Sequence, residues 1–286
     1  MWDSIQTYEP IIRLISFLGI FSIIALWEVM APCRKLEYSR LVRWPNNIGI
    51  AVINTIVLRI VFPIAAVGIA LAAEAKGWGV FNTFSFPTWL AIILSVVILD
   101  FAIYLQHILV HAVPALWRLH RMHHTDLDFD VTTGARFHPV EIMVSMGLKL
   151  MVVGALGTPA IAVLLFEVLL NATAMFNHGN IRVHRKIDRL LRMVIVTPDM
   201  HRVHHSILPQ ETNSNFGFNL PWWDYLFGTY KAQPKDGHEH MIIGIEQFRE
   251  RSYLRLDWML IQPCLDKPGN YPINRTVSGK SQPTNE

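Results

Sequence analysis

Cysteine and charge are what this sequence is short of. Its two cysteines, Cys33 and Cys264, lie far apart and in no CxxC pair, which excludes an iron–sulfur cluster and a disulfide framework. Charged residues make up only 16% of the chain, against 52% hydrophobic ones, a greasier balance than a soluble domain carries. The formal charge is +3 and its basic residues are scattered, so there is no nucleic-acid footprint and no nucleic-acid partner is expected. No GxGxxG stretch follows a strand-like run, which removes a built-in dinucleotide site. Composition therefore points to a membrane protein, and a length of 286 residues leaves one large domain or two modest ones open.

What the sequence does have is long apolar stretches. Ile11 to Met30 is long enough to span a bilayer, and the residues before it carry Asp3 and Glu9 in place of a basic leader, so a retained first span is expected. Arg34, Lys35, Arg40 and Arg43 follow, and the positive-inside rule assigns that loop to the cytoplasm. A second stretch, Ile48 to Ala73, contains Arg59 and Pro63, and a third, Thr88 to Val110, contains Asp100. Charges at membrane depth mark function or pair with one another, and both readings of Arg59 and Asp100 are open. Ile142 to Leu170 is apolar again but broken at Gly157-Thr158-Pro159. As one span it separates everything before it from everything after it. As two helices of about 14 residues, each about 20 Å long, it dips in and returns. A cationic amphipathic stretch, Arg182 to Arg192, and the aromatic run Trp222 to Gly228 are expected at the membrane surface. About the last twenty residues read as a mobile polar tail.

Histidine supplies the chemistry. His120-Arg121-Met122-His123-His124 recurs as His201-Arg202-Val203-His204-His205, and His107 and His111 stand four apart at the end of the third stretch. Residues three and four apart share a helix face, and neutral imidazole suits iron, zinc, copper and nickel. Pro114 can open the helix carrying the first HxxHH box; Thr197 can cap the second, with Pro198 and Asp199 at its first turn. Two such faces brought together can hold two metal ions, and a shared site requires the re-entrant reading of Ile142 to Leu170. Asp100, Asp199 and Asp224 are candidates to receive the second ring N–H of the ligands. His238 and His240 read as structural.

The order HxxxH, HxxHH, HxxHH, with Arg136-Phe137-His138-Pro139-Val140-Glu141, Asn177-His178, Thr197-Pro198-Asp199 and Trp223-Asp224-Tyr225-Leu226-Phe227-Gly228-Thr229, resembles the fatty acid hydroxylase and sterol desaturase superfamily over roughly residues 90 to 230. That resemblance implies an integral membrane enzyme with a non-haem di-iron centre that uses O2 and external electrons to hydroxylate or desaturate lipids. It implies ligation of two Fe ions by His107, His111, His120, His123, His124, His178, His201, His204 and His205, with His138 and His184 set beside the ligands. Electrons then come from a separate ferredoxin, cytochrome or flavoprotein. Arg118, Arg121, Arg182, Arg185 and Lys186 are either its docking groups or ordinary membrane anchors.

The expected fold is all-α: a multi-pass membrane domain of about four spans or half-spans with a cytoplasmic helical cap carrying the di-metal site. Residues 1–87 form the N-terminal membrane helices, 88–232 the catalytic domain and 233–286 a C-terminal segment with the tail. The expected location is a bacterial cell membrane, otherwise the endoplasmic reticulum. The expected substrate is a fatty acyl, sterol or carotenoid-like lipid. A zinc-dependent membrane hydrolase and a membrane metal transporter, whose ligands belong mid-span, are the rival readings.

Overall fold

A computed structural model describes residues 2–265 and 269–274. The expected polar tail falls largely outside them. The described residues are helical, with two isolated bridges as their only strand-like pairing, and five helical segments are long and apolar enough to cross a membrane.

The first is α1 (Trp2–Met30). The second runs through α2 (Arg40–Val61), α3 (Ala65–Ala75) and the single turn α4 (Val80–Thr83). Pro63, which lacks an N–H and fixes its φ, divides the apolar run that the sequence presents as continuous. The third is α5 (Thr88–Ala112), followed after Val113 by α6 (Pro114–His124). Then come α7 (Pro139–Leu156) and α8 (Ala160–Asn177).

The hairpin between α7 and α8 decides the architecture. Gly157 closes α7 in the left-handed region, φ 64°, and Pro159 precedes α8. A Cβ on Gly157 would lie 2.3 Å from the Trp78 carbonyl oxygen, so only glycine fits this turn. Each helix has 18 residues, about 27 Å at 1.5 Å per residue, longer than the half-spans the sequence suggests. Because the chain reverses, residues before α7 and after α8 return to the same end of the bundle.

Among the described residues, the largest buried apolar cluster lies where α3, α5, α7 and α8 meet. Ala66 and Ala70 let α3 approach closely, against Leu99, Val153, Val163 and Phe166. Ile24 of α1 packs on Met175 of α8, while Leu14, Leu18, Ile23 and Leu26 point outward from α1, as a lipid-facing surface does.

Of the two open readings of the charges at depth, the pairing of Arg59 with Asp100 does not hold. Arg59 is exposed and does not meet Asp100. Asp100 instead accepts from the Asn219 and Leu220 amides at 3.2 and 3.3 Å and from Trp223 Nε1 at 2.8 Å. An ion cluster among the long helices is formed by Glu167 of α8, which pairs with Lys149 of α7 at 2.6 Å and with Arg13 of α1.

Beyond α8 the chain forms short helices: α9 (Arg185–Leu191), α10 (Pro198–His204), α11 (Pro209–Thr212), α12 (Trp222–Phe227), α13 (Gly237–His240) and α14 (Leu256–Ile261). Ile187, Leu190, Met193 and Val194 are exposed near α9, and Trp222, Leu226 and Phe227 on α12. Trp222 Nε1 donates to the Met193 carbonyl at 2.7 Å. The two segments therefore form one apolar face.

Candidate metal centre

All nine histidines assigned to metal by the sequence come together. His107 and His111 lie one turn apart at the end of α5, and Val113 with Pro114 at N1 turns the chain so that α6 packs back on it. His120 and His124 face the α5 histidines, and His123 turns instead toward Phe137 and His178. His178 caps the C-terminus of α8. Thr197 Oγ1 accepts from the Met200 amide and starts α10, which presents His201 and His204; His205 is its C-cap.

The rings sort into two groups. His107, His111, His120, His124 and His204 form one, and His123, His178, His201 and His205 the other; within each, one nitrogen per ring lies within 4.8 Å of all the others. The groups adjoin: the rings of His124 and His205 are 4.6 Å apart, as are those of His123 and His205.

Hydrogen bonds determine which nitrogen faces inward. His107 Nδ1 donates to the Phe216 carbonyl at 2.8 Å, His204 Nδ1 to the Ser214 carbonyl at 2.8 Å, and His178 Nδ1 to the Ala174 carbonyl at 2.8 Å. His111 Nδ1 meets Asn213 Oδ1 at 3.1 Å and His120 Nδ1 meets Glu141 Oε1 at 2.6 Å. Asn213 spends its Nδ2 on the Tyr271 carbonyl, so its oxygen is the acceptor. A neutral imidazole has one N–H, so each of these five rings turns a bare Nε2 lone pair into the group.

Such an arrangement fits a cation. Among the described residues, Nε2 of His107, His111 and His204 is buried without a hydrogen-bond partner. Nε2 of His178 faces Nε2 of His123 at 3.1 Å and of His201 at 3.0 Å, and His120 faces His124 at 3.2 Å. Two donors about 2.1 Å from one ion stand about 3 to 4 Å apart, so these spacings suit shared coordination. Burial favours neutral rings: it lowers the pKa of His178 to about 4 and of His204 to about 3.

Aromatic side chains close the site. Phe137 stacks on His123 at 4.4 Å and 11°, Phe129 on His178 at 5.5 Å, and Phe216 stands edge-on to His107 and His111. Trp117 lies 4.8 Å from His111 and is backed by Tyr271.

The carboxylates proposed from sequence act elsewhere. Asp224 takes the Phe216 and Gly217 amides, each at 2.8 Å, and so supports His107 only through the Phe216 backbone. Burial raises its pKa to about 6. Asp199 pairs with Arg202, and Asp100 holds the Asn219 to Trp223 turn. His138 caps α7, accepting from the Val140 amide at 3.2 Å and donating to the Leu260 carbonyl at 3.1 Å; His184 caps α9. Neither belongs to a group. Arg121, offered for docking, is buried and donates to the Gln262 and Leu265 carbonyls, and Arg118 donates to the Pro263 carbonyl.

The sequence reading missed Glu141, Asn213 and the carbonyls of Ala174, Ser214 and Phe216. It also missed the buried frame behind them. Arg43 grips Asp126 through two bonds of 2.7 Å and reaches Asp130, while Arg136 Nε donates to the Met122 carbonyl at 2.8 Å, at the end of α6. Burial alone would raise the Asp126 pKa, but the Arg43 guanidinium holds it well below the carboxylate range.

Known proteins are similar to this chain. The family model for fatty acid hydroxylase matches residues 92–229. Ornithine lipid hydroxylase OlsE of Rhizobium tropici is 28% identical over 228 residues, covering 77% of this chain and 67% of that protein. Alkylglycerol monooxygenase is 26% identical over 195 residues in Xenopus tropicalis and 26% over 178 in Homo sapiens, covering 64% and 59% of this chain. The match spans only 41% and 36% of those two proteins' length. No solved structure matches. With the three histidine boxes in their order and converging on one site, these similarities fit the chain to the fatty acid hydroxylase and sterol desaturase superfamily.

Proposed function

We propose that the chain is a membrane di-iron monooxygenase that hydroxylates the hydrocarbon part of a lipid, using O2 and electrons from a separate protein. The observation that carries this reading is the pair of adjoining, buried histidine groups with lone pairs turned inward. His107, His111, His120, His124 and His204 would hold one iron, and His123, His178, His201 and His205 the other. Bound iron supplies the redox chemistry that activates O2 toward an unactivated C–H bond, which zinc lacks. The relatives named for lipid hydroxylation and alkylglycerol oxygenation support a lipid as substrate.

The chain's own part is orientation and exclusion. Glu141, Asn213 and three backbone carbonyls set the tautomers of five rings before any ion arrives. Phe129, Phe216 and Trp117 keep bulk water away from them, which suppresses side reactions. The least covered rings are His107, 6% exposed, and His120, 2%, beside the half-buried Phe137 that stacks on His123, and we place the approach of a lipid chain from the bilayer there, between α5, α6 and the start of α7.

Lipid mass spectrometry of cells with and without the gene product, grown under 18O2, tests the proposal. The expected product carries one added labelled oxygen. A hydrolysed lipid formed equally well without O2, by a protein that purifies with zinc, would overturn it.

A further inference from the structure

A cleft of about 490 Å³ opens at the end of the bundle that carries the histidines, lined by Arg34, Lys35 and Glu37 of the link between α1 and α2, and by Asp128, Ile242 and Arg249. Its floor, Met241 and Ile243, packs on Phe129. The Phe129 ring lies 5.1 Å from His205 and 5.5 Å from His178. One residue layer therefore separates the cleft from the second histidine group. A second connection runs through hydrogen bonds: Ile243 is bridged to Ser206, Gly244 N donates to the His205 carbonyl at 3.0 Å, and Ile207 N to the Ile242 carbonyl at 2.9 Å.

The charges of the cleft select a partner. Arg34 is clamped by the His238 and Met241 carbonyls at 2.6 and 2.7 Å, and Arg249 by the Ile243 and Ile245 carbonyls, both at 3.1 Å. Both cations are thus held in place, and Lys35 is exposed beside them. Against these three stand the carboxylates of Glu37 and Asp128, the latter also held in place, by the Glu37 and Tyr38 amides. Three cations against two carboxylates leave the lining net positive by one. Encounters between redox proteins bury little area and are steered by complementary charge. The exposed cations Arg185 and Lys186 are a poorer fit, because Ile187 and Leu190 beside them present an apolar face suited to lipid.

We propose that this cleft is where an acidic one-electron carrier protein docks and passes electrons, past Phe129 and the backbone of residues 242–244, to the second histidine group. The proposal rests on the oxygenase reading above. Hydroxylation, R–H + O2 + 2 e⁻ + 2 H⁺ → R–OH + H2O, consumes two electrons. The carrier delivers them singly, each transfer oxidising its reduced centre, and this chain has no cysteine cluster or dinucleotide motif from which to draw them.

The test uses the full-length protein in nanodiscs with an acidic [2Fe–2S] ferredoxin as probe, following association by stopped flow and turnover with ferredoxin or dithionite as reductant. Lys35→Glu is expected to slow association on the order of tenfold at low salt and to lower the ratio of ferredoxin-driven to dithionite-driven turnover. Glu37→Lys is expected to move both readouts the other way. Bound iron should stay unchanged in both. Joint Arg185→Glu and Lys186→Glu substitution should leave association as it was. Association indifferent to both cleft variants, or lost only in the α9 variant, would overturn the proposal. So would dithionite-driven turnover by a wild-type protein that ferredoxin neither binds nor reduces. Failure of both reductants to give an oxygenated lipid would instead count against the oxygenase reading, with charge-dependent association still read separately.

Discussion

The two histidine groups are built differently. In the first, His107, His111, His120 and His204 each have Nδ1 held by an oxygen acceptor. In the second, only His178 does; Nδ1 of His123, His201 and His205 is buried without a partner among the described residues. An outer acceptor fixes the tautomer and raises the basicity of a ligand ring. The first group is therefore preorganised for an ion, while the second relies on the stacking of Phe137 and Phe129. The comparison implies that the first group fills first and releases its metal last.

The largest effect should follow removal of a ligand. His204→Ala is expected to abolish lipid turnover while the protein still inserts in the membrane, measured by product formation and membrane fractionation. Retained turnover would take the second HxxHH box out of the site. Next comes the outer acceptor. Glu141→Ala should weaken metal binding about 10- to 100-fold in a chelator competition, and Glu141→Gln less, since an amide oxygen still accepts from His120. Loss confined to the more labile ion in these variants would reverse the assignment of strengths.

A pH series sharpens the same contrast. His178 and His204 have pKa values lowered by burial to about 4 and about 3, against about 6.5 in an unfolded chain. Between those values the unfolded state binds more protons, so the metal-free protein should keep its full stability above about pH 6.5. Stability should then fall as pH drops toward 4 and on toward 3. Thermal unfolding of chelator-treated protein at pH 8, 6 and 5 checks this, and a flat profile would contradict it. The smallest effect is expected from Asp224→Asn. Its side chain cannot accept from the Phe216 and Gly217 amides with two oxygens, a loss of about 1 to 3 kcal/mol. It should loosen the first group and leave the second unchanged.

Much of the site was legible in sequence because helical spacing is a local property. HxxxH and HxxHH place rings on one face wherever the helix goes, and Gly157-Thr158-Pro159 announced a reversal that returns His201, His204 and His205 to His107 and His120. The ring acceptors were not legible in the same way. Asp100, Asp199 and Asp224 are carboxylates near the motifs, but an acceptor's position depends on tertiary packing. Glu141 meets His120 only because α7 packs against α6. The Arg43 to Asp126 grip joins residues 83 apart, with no periodicity to reveal it. The break at Pro63 was visible as a residue but not as the end of α2.

The most direct test of convergence is the metal content of the purified protein, counted in iron per chain for wild type, His204→Ala and His205→Ala. Two irons in wild type, with each substitution emptying its own group and the second ion more easily lost to chelator, is the predicted result. A wild-type protein that binds no iron, or iron content indifferent to both substitutions, would contradict the account.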